Sequence, residues 1–199
     1  MSNTLNKIMG LCKPTQKIKI GCHDENGDKI EIMICDHDNN NPKEFEIPCI
    51  NLDIDNLQPH EIDYDVSLKI NAKDLHTIVS ELSCFGDEVM IIANNDKIKF
   101  KSESTDGSMT TTKKNEDFVS HQINSSSVVY CKFQINYLQQ MLSLHKAFNL
   151  VDFNFQNDVP LCVFFSDIIE NEDEEWLTLK FYLAPKLHDD DFEIEEDDF

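Results

Sequence analysis

A chain of 199 residues, 40% hydrophobic and 28% charged, has the material for one well-packed domain and part of a second. No run approaches the about 18 apolar residues of a membrane-crossing helix, and residues 1–10 lack the apolar stretch of a secretory signal, so no membrane partner is expected. The net charge of −21 argues against coating nucleic acid by bulk attraction, but −12 of it is confined to residues 167–199, which leaves room for a neutral or basic face elsewhere.

That acidic excess forms a loop at 170–175 and a tail at 189–198. The seven cysteines are odd in number, scattered and never in a CxxC pair, which points to a reduced intracellular compartment without a disulfide framework.

In chain order, residues 4–11 predict a short helix with Ile8 and Leu11 on one side, ended by Pro14. Residues 17–20 alternate Lys and Ile, the period of a half-buried strand. Asn26-Gly27 signals a hairpin turn, and Ile30, Ile32 and Ile34 then share one face of a second strand. Residues 36–41 read as a polar turn, and Phe45 and Ile47 mark another strand. From 48 to 63, Ile50, Leu52, Ile54 and Leu57 are spaced by Asn and Asp up to Pro59, the pattern of an extended linker lying on something apolar.

Residues 64–70 predict a strand. Asn71 then caps a helix striped by Leu75, Ile78, Val79 and Leu82, and Gly86 closes the unit. Three strands follow at 89–93, 97–101 and 108–113, turned by Asn95-Asp96 and Asp106-Gly107. The pattern recurs: a strand at 127–133, a helix striped by Ile135, Leu138, Met141 and Leu142, and strands at 151–155, 161–165 and 176–183. Residues 64–183 thus read as two copies of β-α-β-β-β, with a shortened copy before Pro48. Helices gathered on one side and sheets on the other would bury both copies; an ordinary α+β domain without meaningful repetition fits the periodicity equally well.

Chemistry is sparse. None of the seven histidines falls in a metal-ligand spacing; Asp36-His37-Asp38 sits beside three asparagines as a polar turn, and His76 and His145 lie on the polar sides of their helices. No GxSxG, Walker A or Rossmann glycine pattern occurs among five glycines. Asp173, Glu174 and Glu175 belong to a solvated run, whereas acid–base carboxylates need burial or close pairing. No enzyme, metal or cofactor is expected. Lys13, Lys17 and Lys19, then Lys97, Lys99 and Lys101, then Lys113-Lys114 form loose basic patches, and no helix-turn-helix, zinc-finger or RNP pattern accompanies them.

Several segments resemble the eukaryotic-type DNA sliding clamp family of proliferating cell nuclear antigen. LTLKFYLAPK (177–186), followed by acidic residues, resembles the family's C-terminal signature. VSLKINAKDLHTIVSELSCFGDEVMIIANNDKIKF (66–100) resembles its strand, helix, GD break and hairpin, and PCINLDIDNLQPHEIDY (48–64) its interdomain connector. DVPLCV (158–163) is similar to the loop and strand beside its partner pocket, and residues 4–34 resemble, more weakly, the second helix and following strands of its first domain. The resemblance implies an α+β DNA-clamp fold, with helices on the inner face and sheets on the outer face of a three-subunit ring. It divides the chain into the second half of a first clamp domain (1–47), the connector (48–63), a second clamp domain (64–187) and an acidic tail (188–199), with the N-terminal half of the first domain absent.

The implied function is that of a DNA polymerase processivity factor, a sliding clamp subunit that works without cofactors in the nucleus or a viral replication compartment. The implied partners are encircled double-stranded DNA, DNA polymerase and other proteins carrying clamp-binding peptides, a clamp loader, and further subunits in a homotrimer or a mixed ring with a full-length homologue. The alternatives are a truncated clamp paralogue acting as a protein-interaction or competing ring subunit without clamp activity, and an unrelated α+β enzyme. Carried over by position, the partner-peptide pocket falls on Leu57, Pro160, Tyr182, Ala184, Pro185 and Lys186. The DNA-facing positions fall on Lys7, Lys73, His76 and Lys146; the ring-closing strands hold Lys43, Phe45 and Ile47 on one side and Ser108, Thr110 and Thr112 on the other. The chain departs from the family where basic helix positions are taken by Thr77, Ser80, Asn136 and Ser143, where Gly10 stands at a usual lysine, and where Asn95 replaces a lysine that many members modify. An unusually neutral inner face is expected.

Overall fold

A computed structural model describes residues 2–22, 28–49, 62–124, 128–168 and 175–186. The chain divides into two compact units, Met1–His60 and Glu61–Phe199. The expected Asn26-Gly27 turn, Leu57 with most of the expected connector, and most of the acidic loop and tail lie outside the described residues.

The first unit holds α1 (Ser2–Met9) and three antiparallel strands, β1 (Gln16–Cys22), β2 (Lys29–Asp36) and β3 (Lys43–Pro48), in the order β1-β2-β3. The Ile alternation in β2 does what its period of two demands: Ile32 and Ile34 are buried and pack with Ile8 of α1. Leu11 does not join them. The helix ends at Met9, so Leu11 leaves the stripe and stands exposed. The polar turn after β2 uses Asn39 and Asn41 at φ 58° and 53°, a left-handed region that Asn tolerates better than most residues. Asp36 anchors it by accepting from Asn41 and Gln16, which hold its carboxyl below the usual range.

The second unit is a mixed α+β domain. Its strands β4 (Val66–Asn71), β5 (Glu88–Ala93), β6 (Lys97–Ser104) and β7 (Gly107–Lys114) surround α2 (Ala72–Leu82). A short strand, β8 (Ser120–Ile123), precedes the second set: β9 (Val129–Gln134), α3 (Ile135–Leu142), β10 (Leu150–Phe155), β11 (Leu161–Ile168) and β12 (Glu175–Leu183). Two sheets result, ordered β12-β11-β10-β4-β8 and β7-β6-β5-β9. Each sheet takes three consecutive strands from one β-α-β-β-β copy and the first strand of the other: β4 pairs with β10, and β9 with β5. The repetition is therefore structural, and one core spans both sheets and both helices.

Asn71 caps α2 as its sequence position predicts, its side-chain oxygen accepting from the N–H groups of Lys73 (3.0 Å) and Asp74 (3.3 Å). The helix stripe and the inward strand residues meet around Phe100, Phe133, Phe153, Phe155 and Phe165, each almost fully buried. β8 is the element the sequence pattern misses. Ser120, His121 and Gln122 are all exposed, so no alternation marks it, and pairing with β4 alone makes it a strand. α2 stops at Leu82, and Gly86 lies between it and β5. The role of Gly86 is steric: a Cβ there would stand 2.8 Å from the Glu103 carbonyl oxygen and 2.9 Å from Ser102 Oγ.

Gly86→Ala is therefore expected to lose ~1–3 kcal/mol in urea unfolding, because backbone must move to admit the methyl group. Gly10→Ala, whose added Cβ would meet its nearest atoms at 3.4 and 3.5 Å, serves as the near-neutral control.

Candidate protein-docking edges, partner pocket and helix face

Backbone phase decides which residues an edge strand offers. The β6–β7 turn places two residues, Thr105 and Asp106, between the paired Ser104 and Gly107. A two-residue loop is closed by a hydrogen-bonded pair, and pairs then alternate. The backbone groups of Ser108, Thr110, Thr112 and Lys114 therefore point away from β6, at the open edge of the four-stranded sheet. The Lys114 N–H confirms the phase, since it donates to Asp117 Oδ2 (2.8 Å) and not to β6.

In the first unit, the Cys49 N–H donates to the Asp28 carbonyl (2.7 Å), which sets the phase of β2 and β3. Lys43, Phe45 and Ile47 then bond inward to β2, and Phe45 and Ile47 pack on the unit's own core. The outward groups of β3 belong to Glu44 and Glu46. Pro48 follows them in phase, as a residue with no N–H must. Of the expected positions, Ser108, Thr110 and Thr112 carry outward backbone groups, whereas Lys43, Phe45 and Ile47 bond to β2 and the outward groups between them are those of Glu44 and Glu46. Pro48 was the sequence signal that could have fixed the parity.

Around the expected pocket, Tyr182 of β12 stands opposite Cys162 of β11 and is 38% exposed. The Tyr64 phenol donates to the Pro160 carbonyl (3.0 Å). Burial pushes this phenol up to about 12, with Cys162 and Tyr182 adding to the effect, so it stays a neutral donor. Beyond β12, Ala184 is exposed and Pro185 half-buried. The Lys186 N–H donates to the Lys132 carbonyl (2.8 Å), crossing to β9 of the other sheet. The Lys186 ammonium pairs with Glu88, which Lys132 also reaches at 3.0 Å. The hydrogen bond from Lys186, reinforced by Lys132, holds the Glu88 carboxyl below its usual range against the opposing effect of burial. The Lys186 N–H is committed within the domain and is not spare for a peptide. Tyr64, Glu88 and Lys132 were not legible as part of this region, because residues from different strands meet there.

On the helix face, Lys73 and Lys146 are exposed in the second unit and Lys7 in the first. His76 is half-buried, with its ring stacked on His145 at a centroid distance of 4.0 Å. His145 Nδ1 lies 2.9 Å from the Leu142 carbonyl. Burial lowers the His76 pKa below the ordinary imidazole value, and His145 and Lys146 push it the same way. Protonation of His76 is thereby disfavoured. Across α2, α3 and the 3-10 turn Ser143–Lys146, two lysines face Asp74 and Glu81, so these elements carry no net charge. The hydroxyls of Thr77 and Ser143, at positions the family resemblance makes basic, are turned back onto the carbonyls of Lys73 (2.9 Å) and Gln140 (2.7 Å). Among the described residues no group of three or more His, Cys, Asp or Glu side chains is placed to hold a metal ion.

Two sheets built by exchange of first strands, with a helix from each copy, define a repeat-built scaffold domain. The family model for the C-terminal domain of proliferating cell nuclear antigen matches residues 59–186. The chain is 24% identical over 197 residues to proliferating cell nuclear antigen 1 of Plasmodium falciparum (isolate 3D7), covering 94% of this chain and 72% of that protein. It is 24% identical over 190 residues to proliferating cell nuclear antigen of Dictyostelium discoideum, covering 92% and 71%. With its counterpart in Chaetomium thermophilum it shares 27% identity over 153 residues, 74% of this chain and 57% of that protein. The chain belongs to the proliferating cell nuclear antigen family, a family of non-catalytic scaffolds, and is not an enzyme.

Two pH dependences follow. His76 has a lowered pKa in the folded state, so its contribution is complete above the ordinary imidazole pKa and is lost as pH falls from there through the depressed folded value. Thermal melts between about pH 7.5 and 5 are expected to show a fall in Tm that His76→Gln makes shallower. The contribution of Glu88 is present above the ordinary carboxylate pKa and is lost as pH falls through its depressed value. Glu88→Gln is expected to cost on the order of 0.5–1 kcal/mol at pH 7, read by urea unfolding, and little at strongly acid pH.

Proposed function

We propose that this chain is a ring subunit of the clamp family that acts through protein contacts, as a paralogue that joins or competes for rings without clamp activity of its own. The observation that carries this reading is the pair of open edges. β7 offers the backbone of Ser108, Thr110 and Thr112, and β3 offers that of Glu44 and Glu46. Strand addition across such edges gives affinity through main-chain bonds. The glutamates of β3 and Lys113-Lys114 at the end of β7 are complementary in charge. Edge pairing from one subunit to the next builds a homotrimer, or a mixed ring with a full-length homologue. The neutral face of α2 and α3 supports a role that does not rest on gripping phosphates.

Partner proteins dock short peptides against Pro160, Tyr182, Ala184 and Pro185, and Lys186 buttresses that segment through Glu88. A second reading keeps full clamp activity: a processivity factor that encircles double-stranded DNA in the nucleus or a viral replication compartment, is placed there by a clamp loader and tethers DNA polymerase. Lys7, Lys73 and Lys146 would face the duplex. The balanced charge of the helix face favours this reading to one extent, since topological retention needs sliding and not tight binding.

Light scattering on the chain alone and mixed with a full-length clamp homologue tests the association. Thr110→Pro removes an outward N–H without touching the β6 ladder. It is expected to weaken assembly by ~10-fold or more while leaving the circular dichroism spectrum unchanged. Retention on closed circular but not linear DNA after loading establishes the second reading; assembly without retention supports the first. A monomer at about 100 μM, alone and with the homologue, overturns both.

A further inference from the structure

The four-stranded sheet of the second unit turns one face to the helices and one away from them. Ile91, Ile98, Phe100 and Phe133 point into the core, and the alternate residues occupy the far face. Register aligns Tyr130, Ile92, Lys99 and Thr112 in one row of that face and Lys132, Met90, Lys101 and Thr110 in the next, with Lys97 beside Lys114 at one end. Met90, Ile92 and Tyr130 form a small apolar cluster of their own, each at most 5% exposed. Around it the paired rows bring together five lysines, Lys97, Lys99, Lys101, Lys114 and Lys132. Against them stand two glutamates, Glu88 at 3.0 Å from Lys132 and Glu103 at 2.9 Å from Lys101. The face is therefore net positive in a chain whose overall charge is −21.

The last described residue, Lys186, sits at this face. Its N–H donates to the Lys132 carbonyl (2.8 Å) on the margin of β9, and its ammonium meets Glu88. Just beyond it, residues 189–198 carry eight carboxylates and no basic group; they lie outside the described residues. Adjacent strands are about 4.8 Å apart, so β7 is ~15 Å from β9, whereas residues 187–198 span about 40 Å when extended. The segment can thus reach every lysine of the face. A tethered segment meets its site at high effective concentration, so surface ion pairs that are each worth little suffice when several form together.

We propose that the acidic segment 189–198 docks on the lysine-bearing face of the four-stranded sheet in the same chain, its carboxylates pairing with Lys97, Lys99, Lys101 and Lys132. The lysines suit such a contact, because point charges on flexible stems pair without a fixed geometry. With the segment in place the face is closed to other polyanions, which reach it only by displacing the chain's own. The contact lies within one chain and uses side chains, not the outward backbone groups of β3 and β7. It is therefore independent of the ring reading, and both contacts can coexist.

Carbodiimide cross-linking of the full chain, which joins a carboxylate to a lysine amine where the two are in contact, tests the proposal. An equimolar mixture of unlabelled and isotope-labelled chains tells links within a chain from links between chains. Peptide mapping is expected to place links from residues 189–198 on Lys97, Lys99, Lys101 and Lys132 at ~5-fold or more the yield at Lys7, Lys73 and Lys146, a preference that about 0.5 M salt removes. Lys99→Gln with Lys101→Gln, which keep most of each stem, are expected to lower the yield at Lys97 and Lys132 by ~3-fold or more. Asp189→Asn, Asp190→Asn and Asp191→Asn together leave the sheet untouched and are expected to lower the links from Glu193, Glu195 and Glu196 by a similar factor. Links spread evenly over all lysines, links found only between chains, or yields unchanged by both sets of substitutions overturn the proposal. So do links to this face from residues 170–175 in place of 189–198, which would make the acidic loop its occupant.

Discussion

Strand exchange is the constraint on which the second unit depends. β4 belongs to the first copy in sequence but to the sheet of the second, and β9 does the reverse. Neither copy can bury its helix or complete its sheet alone, so the hydrophobic faces of both form a single core. Five phenylalanines sit at its centre, and burial of each such side chain is worth roughly 1.5–3 kcal/mol before chain entropy is set against it.

The same exchange determines where the domain stays open. The first strand of each copy joins the other's sheet, β4 between β10 and β8 and β9 beside β5, and the last strands, β7 and β12, stand at margins. β9 is also marginal, but its outward groups are partly met from within the domain: Asn157 Oδ1 accepts from the Tyr130 N–H and the Lys186 N–H donates to the Lys132 carbonyl. Natural proteins protect edges in this manner when an edge is not meant to pair. Among the described residues β7 carries no comparable cover along Ser108, Thr110 and Thr112, and its run of threonines favours extended backbone.

Charge is arranged to match. The chain's net −21 is concentrated near its C-terminal end, whereas α2, α3 and the turn after α3 balance to zero. His76, whose ring lies 4.0 Å from that of His145, has its protonation disfavoured by burial and by its neighbours. All 17 basic residues are lysines. Lysine meets phosphate as a point charge and lacks the bidentate fork of arginine, which again suits a surface that does not clasp its contacts.

The sequence by itself determined the elements whose burial follows a period: the Ile alternation of β2, the stripes of α2 and α3, the Asn71 cap and the doubled β-α-β-β-β order. These are local, since side-chain direction is set by backbone geometry within a few residues. It also determined the family resemblance, which the matched family model bears out. Tertiary structure alone decided that β8 is a strand, that Gly86 is required by an approaching carbonyl, and that Tyr64 meets Pro160 and Glu88 meets Lys132 and Lys186. It decided too that two histidines 69 positions apart form one stack and that Glu44 and Glu46, rather than their neighbours, face outward from β3. Each of these depends on which strand lies beside which and in what phase. Pairing partners distant in the chain set that phase, and hydrophobic period carries no record of them.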